Sequence, residues 1–373
     1  MEDQVSDSEG LIRPLLVAPF DPEAPYGQHS RPFNFYKYGK KQGHSLGLLS
    51  FRSLARDVKN LIMGLRKIAN RRAIIISGLN PFWVLFFTLL VKTLNFFGRQ
   101  ERKAIIDLHG SVFHENINYG WKIRAYFYFF PEFISLQLAD LIIFASRELK
   151  KFSTEAFRLS GKRGRVVENG TNRPKVESEK MAEKALQESI DRKETKIIIM
   201  VAPRNSHSNV LAVLRAQDVM ELLKDESELV LIILGGGETL DFVPENTKYL
   251  GHVSDSVYHA LHDLADLAIA PYPPEAVCGG ARNKILDYWI HGILLVSTRE
   301  GTRGIEEAKP GTNFLLSDSD PESFAQSILG ALEMGETEKE KIRKSAQDLA
   351  RRKYLWKEKS KNFFQIIENE TCY

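Results

Sequence analysis

A glycine turn followed by basic residues is the part of this sequence best suited to bind an anion. Gly279 and Gly280 stand shortly before a predicted helix that begins near Asn283, and Arg282 and Lys284 flank the start of that helix. Unpaired backbone N–H groups and the positive end of a helix attract phosphate oxygens. The segment therefore predicts a phosphate site, with a plain glycine loop carrying solvated basic residues as the alternative.

Two further polar side chains could take part in the same chemistry. Asp287 follows Lys284 by one helical turn, so both side chains can project from one face of the helix. His109 ends a predicted strand, and side chains at the carboxyl ends of parallel strands face the crevice in which such folds bind ligands. A purely structural histidine is the alternative at that position.

Short apolar runs alternate with amphipathic stretches along the whole chain, and these elements must position the polar residues. Runs such as Leu15–Ala18 and Leu229–Leu234 predict strands, stretches such as Pro81–Phe96 predict helices, and Lys339–Ile367 is predicted as a long charged helical stretch. The alternation indicates parallel, doubly wound sheets of the α/β class. It halts over residues 173–196 and then restarts, which indicates a domain boundary there.

Length and composition place the chain among ordinary globular proteins. With 373 residues, 43% apolar and 27% charged, it has room for about two domains, and a disordered chain, a collagen-like repeat and a polytopic membrane protein are excluded. Its only cysteines, Cys278 and Cys372, exclude a disulfide framework and a multi-cysteine zinc site. We expect a reducing compartment and, because the first ten residues carry four acids, no secretory signal.

One uncharged run, Ala73–Val91, is long enough to suggest a membrane span. Its interior reads Ser77-Gly78-Leu79-Asn80-Pro81, which is typical of a turn. Proline at the first position of a helix is favourable, so the run predicts a strand, a turn and a helix opened by Pro81.

The net charge of +3 conceals an asymmetry between the two halves. Residues 1–180 hold 28 Lys/Arg against 17 Asp/Glu, a net of +11, whereas residues 181–373 hold 23 against 31, a net of −8. A basic half indicates an anionic partner: a membrane surface, a phosphorylated acceptor or nucleic acid. The basic amphipathic stretch Leu54–Ala69 and the aromatic cluster Tyr126–Phe130 each fit either a membrane-facing surface or ordinary packing on a sheet.

Several motifs follow one another in an order typical of one enzyme family. They are Ala139–Ser146 leading to Val167–Gly170, then Leu250–Val253, then Ala265–Pro271, and finally Asn283–Gly292. In order and spacing they resemble successive strand ends of the retaining, nucleotide-sugar-dependent glycosyltransferases of group 1, a family-four-like group with the GT-B fold.

The resemblance implies two doubly wound Rossmann-like domains facing a cleft, and a C-terminal helix that crosses back to the N-terminal domain. The implied acceptor-side domain is residues 1–180, the nucleotide-sugar domain is residues 181–345, and the crossing helix is residues 346–373. His109 would then project into the cleft.

The same resemblance assigns roles to individual residues. It implies that Arg204 and Lys284 neutralise the donor diphosphate, that His109 lies beside the reacting sugar, and that these three are the catalytic residues. It implies that Asp287 holds the ribose. The other implied donor-binding residues are Gly27, Gly251, His252, Val253, Glu275, Gly279, Gly280 and Arg282.

Two departures from the family pattern keep alternatives open. The lysine that usually follows the arginine is absent, because Ser208-Asn209 occupies that region. The usual pair of glutamates is replaced by Gly279 and Asp287, with Glu275 as a loop substitute. A non-catalytic nucleotide-sugar-binding or scaffold protein and a sugar-nucleotide epimerase are therefore the alternatives to a hexosyltransferase-type enzyme.

The expected reaction moves a sugar from a UDP or GDP donor to an unknown acceptor that is anionic or presented by a membrane. We expect no metal, since cationic side chains and a helix end can carry the diphosphate charge, and no cofactor or nucleic-acid partner.

Asp320 should cap a helix, and His259 and His262 should lie on the polar side of theirs. The expected location is the cytoplasm, with peripheral attachment at the inner face of the membrane.

Overall fold

The computed structural model describes residues 13–20, 30–50, 58–98, 100–159, 164–173, 195–237 and 242–371. The chain divides into two compact units. Unit 1 consists of Met1–Phe113, Ile123–Val167 and Trp356–Tyr373, and unit 2 consists of His114–Lys122 and Glu168–Leu355.

Unit 1 is built on a parallel sheet of six strands. They are β1 (Leu15–Ala18), β2 (Gly47–Ser50), β3 (Ala73–Ser77), β4 (Lys103–Leu108), β5 (Leu141–Phe144) and β6 (Gly164–Val166). They lie in the order β2-β1-β3-β4-β5-β6, and each neighbouring pair is parallel. The first helices along the chain are α1 (Ser30–Lys41), α2 (Val58–Ala69), α3 (Pro81–Phe97), α4 (Val112–Asn118), α5 (Lys122–Leu138) and α6 (Arg147–Ala156).

Helices cover both faces of this sheet because its strands are apolar on both sides. Ile75 and its neighbours on one face pack with Phe35 of α1, whereas Ile74 and its neighbours on the other face pack with Ile68 of α2 and Phe87 of α3. Further along the second face, α5 and α6 cover β4 and β5. Near-continuous apolar runs are typical of parallel strands that are buried on both sides.

Unit 2 repeats this architecture on a second parallel sheet of six strands. They are β7 (Lys196–Val201), β8 (Leu229–Leu234), β9 (Thr247–Gly251), β10 (Leu267–Ala270), β11 (Leu295–Ser297) and β12 (Leu315–Leu316), in the order β12-β11-β10-β7-β8-β9. Within the described residues, the remaining helices are α7 (His207–Leu222), α8 (Asp255–Leu264), α9 (Asn283–His291), α10 (Pro321–Glu333), α11 (Glu336–Lys353) and α12 (Trp356–Thr371). The predicted α/β class with two doubly wound sheets is confirmed.

The uncharged run at Ala73–Val91 forms a strand, a turn and a helix, as its sequence predicts. The side chain of Asn80 caps α3 by accepting a hydrogen bond from the backbone N–H of Phe82, and Pro81 is the first residue of the helix. Across the described ranges, each helix falls short of the length or apolarity that crossing a bilayer requires.

The C-terminal stretch is two helices instead of the single long one predicted. Helix α11 ends at Lys353, and the chain turns at Tyr354-Leu355 before α12 begins. The turn is fixed by the backbone carbonyl of Tyr354, which accepts a hydrogen bond from the N–H of Thr171 at 2.7 Å, and by the Tyr354 hydroxyl, which donates to Glu307. Helix α12 packs in unit 1, where Phe363 stacks on Phe35 of α1 with ring centroids 4.0 Å apart.

Candidate functional site

The strand order of unit 2 creates a natural binding position between β7 and β10. The chain passes from β7 to β8 and β9 on one side, then returns to place β10 on the other side of β7. In open parallel sheets, ligands bind at the carboxyl ends of strands where the order reverses in this way. Helix α7 follows β7, and helix α9 follows β10. The loops that leave the ends of these two strands therefore lead into the N-termini of two helices, which are favourable places for an anion.

Lys284, in the first turn of α9, is hydrogen-bonded across this position to residues that follow both strands. Its Nζ donates to the hydroxyl of Tyr272 at 2.6 Å and to Oδ1 of Asn209 at 2.9 Å. Asn209 in turn donates from Nδ2 to the backbone carbonyl of Pro203 at 2.8 Å, and the Tyr272 hydroxyl donates to Asn209 Oδ1 at 2.8 Å. The network holds a lysine ammonium group at the point where the strand order reverses.

The surroundings of Lys284 weaken its hold on a proton. Burial, with a further contribution from the positive charge of Arg282, lowers the pKa of Lys284 to about 7. An anion that entered the site would oppose both effects and favour the charged form of the lysine.

Arg282 itself is buried and already paired. Its guanidinium lies over the ring of Tyr272, 3.6 Å from the centroid, and its Nη2 lies 3.3 Å from Oε1 of Glu300. Arg303 pairs with the other carboxylate oxygen of Glu300 at 2.6 Å. Arg282 is thus a neighbouring positive charge that acts on Lys284.

Arg204 lies in the loop after β7, against the glycines that follow β8. Its backbone N–H donates to the carbonyl of Gly236 at 2.8 Å, and its guanidinium lies 4.7 Å from the centroid of the Tyr249 ring. Gly237 has a φ of +139°, and a Cβ there would lie 2.6 Å from Cβ of Arg204. A Cβ on Gly236 would lie 2.5 Å from the ring of His252. The two glycines therefore permit Arg204 and His252 to pack closely against this loop.

Asp287 is held by two hydroxyl groups of its own unit. Its Oδ1 accepts from Thr171 at 2.6 Å and its Oδ2 accepts from Tyr258 at 3.0 Å. Burial raises the pKa of Asp287, and the two hydrogen bonds oppose that rise. Because a carboxylate can accept about four hydrogen bonds, each oxygen keeps the capacity to accept a further one.

Apart from Gly27, the other predicted donor-binding residues lie at two places in unit 2. Gly279 and Gly280 are buried immediately before α9, and Glu275 is exposed in the same loop. Gly251 ends β9 with a φ of +64° and is followed by His252 and Val253. Gly27 lies outside the described residues.

Unit 1 carries a second polar cluster at the carboxyl ends of β3 and β4. His109 follows β4, and its Nε2 lies 2.9 Å from Oδ2 of Asp107 and 3.0 Å from Oγ of Ser77. The hydroxyl of Ser77 donates a hydrogen bond to Asp107 at 2.7 Å. Arg31 of α1 donates two hydrogen bonds to the same carboxylate, from Nε at 3.0 Å and from Nη2 at 2.8 Å. The strand-end position predicted for His109 is therefore observed, with a buried carboxylate beside it.

These contacts determine how the imidazole is oriented. Burial would raise the pKa of Asp107, but the charges of Arg31 and His109 and their hydrogen bonds outweigh it and hold that pKa well below its ordinary value. In the neutral form of His109, the ring proton is best placed on Nε2, which then donates to the carboxylate, since Ser77 already gives its own proton to Asp107. Nδ1 is then the acceptor nitrogen of the ring.

One of the two histidines of α8, His262, differs from its predicted placement. His262 was expected on the polar side of the helix, and that prediction is wrong: the side chain is buried, with its ring stacked on Tyr288 at 5.7 Å between centroids. His259 contacts His291, whose Nδ1 lies 2.7 Å from Asp263. Within the described ranges, no group of three or more His, Cys, Asp or Glu side chains is arranged to hold a metal ion. Asp320 caps α10 as predicted.

Sequence reasoning missed the partners that hold the site residues in place. Asn209 and Tyr272 position Lys284, and Arg31 and Ser77 position Asp107 beside His109. The available signal was position: Asn209 stands in the first turn of a helix after a strand, and Tyr272 follows a strand end. Asparagine and tyrosine are too common for the residue type alone to indicate a role, so the contacts of Asn209 and Tyr272 with Lys284 are seen only in the folded structure.

The sequence of unit 2 matches a known family. Residues 195–334 match the model of the glycosyl transferases group 1. This segment is similar to group 1 glycosyl transferases. It contains β7, Arg204, Lys284 and Asp287, so these three site residues lie inside the matched segment.

Solved structures match nearly the whole chain at low sequence identity. Sucrose-phosphate synthase from Thermosynechococcus elongatus matches with a TM-score of 0.71 and 11% identity, covering 96% of this chain and 98% of that one. A glycosyltransferase from Rickettsia africae gives 0.68 and 15%, covering 96% and 98%. Anabaena HepE in complex with UDP-glucose gives 0.64 and 14%, covering 95% and 99%. The fold is therefore that of GT-B glycosyltransferases. A sequence search of curated proteins gave no significant match.

Proposed function

We propose that the chain is a retaining glycosyltransferase that takes a sugar from a nucleoside-diphosphate donor bound at the carboxyl ends of β7 and β10, where the strand order of unit 2 reverses. The observation that supports this most directly is Lys284, hydrogen-bonded to Asn209 and Tyr272 at the start of α9. The match of residues 195–334 to the group 1 family supports the same activity. Because Anabaena HepE was solved in complex with UDP-glucose, UDP is the first nucleoside diphosphate to test.

The proposed chemistry requires stabilisation of a diphosphate leaving group. As the bond between the anomeric carbon and the phosphate oxygen breaks, negative charge grows on the diphosphate, and the ammonium group of Lys284 and the amides at the helix start oppose it. Arg204 supplies a second cation from the loop after β7. Protein cations would thus do the work that a divalent metal does elsewhere, so we propose a metal-independent reaction.

The basic unit 1 is the proposed acceptor side. His109 presents Nδ1 as an acceptor at a strand end, with Asp107 and Arg31 fixing the ring. Within this proposal His109 contacts the reacting sugar or its acceptor hydroxyl. The excess of basic residues in the first half supports an acceptor that is anionic or presented by an anionic membrane.

Titration calorimetry with UDP, GDP and ADP, followed by assays of donor hydrolysis with and without EDTA, tests the proposal. We expect one diphosphate to bind, hydrolysis or transfer to survive the chelator, and Lys284→Met to reduce turnover more than binding. Lys341→Met, in an exposed turn of α11, is the matched control.

Three results would contradict the proposal. Binding without turnover would favour the scaffold alternative, and a changed donor sugar without an acceptor would favour the epimerase. Strict dependence on added magnesium would remove the metal-independent mechanism.

A further inference from the structure

The outward sides of two helices in unit 1 are apolar where a soluble protein normally carries polar residues. The exposed residues on α3 are Phe82, Trp83, Phe86, Leu89, Phe96 and Phe97, and those on α5 are Ile123, Tyr126, Phe127, Phe130 and Ile134. We call these residues the outer apolar face. Their spacing follows the helical repeat, so each helix presents one continuous stripe.

The two stripes meet to form a single surface. The ring of Phe82 on α3 lies 4.9 Å from that of Phe127 and 5.8 Å from that of Tyr128 on α5. Several members are almost fully exposed: Ile123 at 91%, Phe96 at 83% and Phe97 at 81%. Large contiguous apolar patches are rare on monomeric proteins and mark sites of interaction.

Packing on the sheet does not account for these side chains, because each helix buries a different face. Phe87 and Val91 of α3 join the core beneath β1 and β3, and Leu136 of α5 joins the core beneath β4 and β5. The sequence left two uses open for the cluster Tyr126–Phe130. Phe129 packs against the core, while Tyr126, Phe127 and Phe130 are exposed.

The two helices that form the outer apolar face expose no acidic side chain. Helix α3 contains none, and the single acid of α5, Glu132, is buried. Arg124 is exposed on α5. Arg66 and Lys67 are exposed on α2, whose Ile68 packs in the same core cluster as Phe87 of α3.

We propose that the outer apolar face docks unit 1 on the surface of a bilayer that contains anionic lipids. Exposed aromatic rings partition into the headgroup region, and flanking cations are attracted to anionic lipids. A second copy of the chain is a weaker candidate for this surface, because its own cations would face those of the first. The inference goes beyond the proposed function and does not depend on the donor.

Co-sedimentation of the full chain with vesicles tests this proposal. We expect binding to phosphatidylcholine vesicles containing phosphatidylserine, weaker binding to phosphatidylcholine alone, and further weakening as salt rises. The double variants Phe96→Ser/Phe97→Ser and Phe127→Ser/Phe130→Ser should each reduce binding roughly tenfold or more, because the apolar area that leaves water is lost. Circular dichroism and thermal unfolding confirm that each variant is folded.

Matched variants elsewhere on the chain control for a general loss of apolar or charged surface. Leu214 and Leu222 on α7 are 43% and 50% exposed, so Leu214→Ser/Leu222→Ser should leave vesicle binding unchanged. Arg66→Glu/Lys67→Glu should weaken binding to anionic vesicles. The same reversal at Arg351 and Arg352, exposed on α11, should not.

Trp83 reports on docking at the face itself, since its side chain is 42% exposed. Vesicles should shift its fluorescence to the blue and brominated lipids should quench it, and Trp83→Phe should remove most of both signals. The proposal is overturned if the aromatic variants bind vesicles like the wild type. It is also overturned if the chain ignores vesicles and instead forms dimers that those variants dissociate in sedimentation velocity.

Discussion

Among single residues, Lys284 combines burial with a pKa close to neutral pH. Its ammonium group is held by a tyrosine hydroxyl and an amide oxygen, and burial with the charge of Arg282 lowers its pKa to about 7. A lysine in water titrates near 10.4. Near neutral pH, much of this group is therefore uncharged until an anion arrives to stabilise the proton.

We expect UDP binding to take up a proton above pH 7. A bound diphosphate raises the pKa of Lys284, so the complex binds a proton that the empty site lacks, and affinity falls as pH rises through this range. Calorimetry in two buffers of different ionisation enthalpy gives the number of protons. Lys284→Met should abolish the uptake, and an unchanged proton count in that variant would contradict the assignment.

The buried pair Arg31 and Asp107 predicts a large effect on stability. Arg31→Met removes the guanidinium that pairs with a buried carboxylate and should cost about 3–5 kcal/mol in the free energy of unfolding. Because the folded-state pKa of Asp107 lies below its unfolded value near 3.9, the stabilisation is present above about pH 4 and is lost as pH falls further.

Urea unfolding followed by circular dichroism measures the cost of Arg31→Met. The exposed Arg72→Met is the control, expected to change stability by less than about 0.5 kcal/mol. The double variant Arg31→Met/Asp107→Leu should recover part of the loss, because no charge is left unpaired. Equal stability of Arg31→Met and Arg72→Met would show that the pair is not buried as described.

Among elements, those with a strong apolar pattern were predicted well. The strand Leu229–Leu234 was predicted with the bounds observed, because a strand buried on both sides is a continuous apolar run. Helix α4 was missed because its seven residues carry no clear stripe, and the turn at Tyr354 was missed because a distant residue, Thr171, fixes it.

The site was predicted in part, for the same physical reason. The start of α9 could be predicted locally, since glycines and a cation before an apolar helix indicate it. The pairing of Lys284 with Asn209 could not, because the two are 75 positions apart and meet only once β7 and β10 lie side by side. Sequence patterns reveal elements, whereas contacts between loops depend on strand order.

The close approach of two loops predicts an effect of a single methyl group. Gly237→Ala would place a Cβ 2.6 Å from Cβ of Arg204 at a φ of +139°, so the loop after β8 must shift and Arg204 with it. We expect UDP affinity to fall about tenfold, roughly the 1.4 kcal/mol of one weakened charged contact, with a native circular dichroism spectrum. Gly330→Ala, which meets open space in α10, is the control and should leave affinity unchanged. Unaltered UDP affinity in Gly237→Ala would contradict the proposal that Arg204 contacts the donor.

For the whole molecule, chain order and structural order differ. Each unit has its own apolar core, yet the last helix, α12, belongs to unit 1 although all of β7 to α11 precedes it in sequence. Trp356, Phe363, Phe364 and Ile367 of that helix are buried in the core of unit 1. Completion of unit 1 therefore depends on the last residues of the chain.

Removal of residues 356–373 should unfold unit 1 and leave unit 2 folded. Four buried apolar side chains at about 1.5–3 kcal/mol each represent roughly 6–12 kcal/mol, comparable with the whole stability of a typical domain. Hydrogen exchange should show rapid exchange in β3 and β4 and retained protection in β7 and β8. Lys361→Ala/Gln365→Ala, on the exposed side of α12, should leave protection intact in both units. Protected β3 and β4 in the shortened chain would contradict the assignment of α12 to this core, and loss of protection in β7 would show that the units do not fold separately.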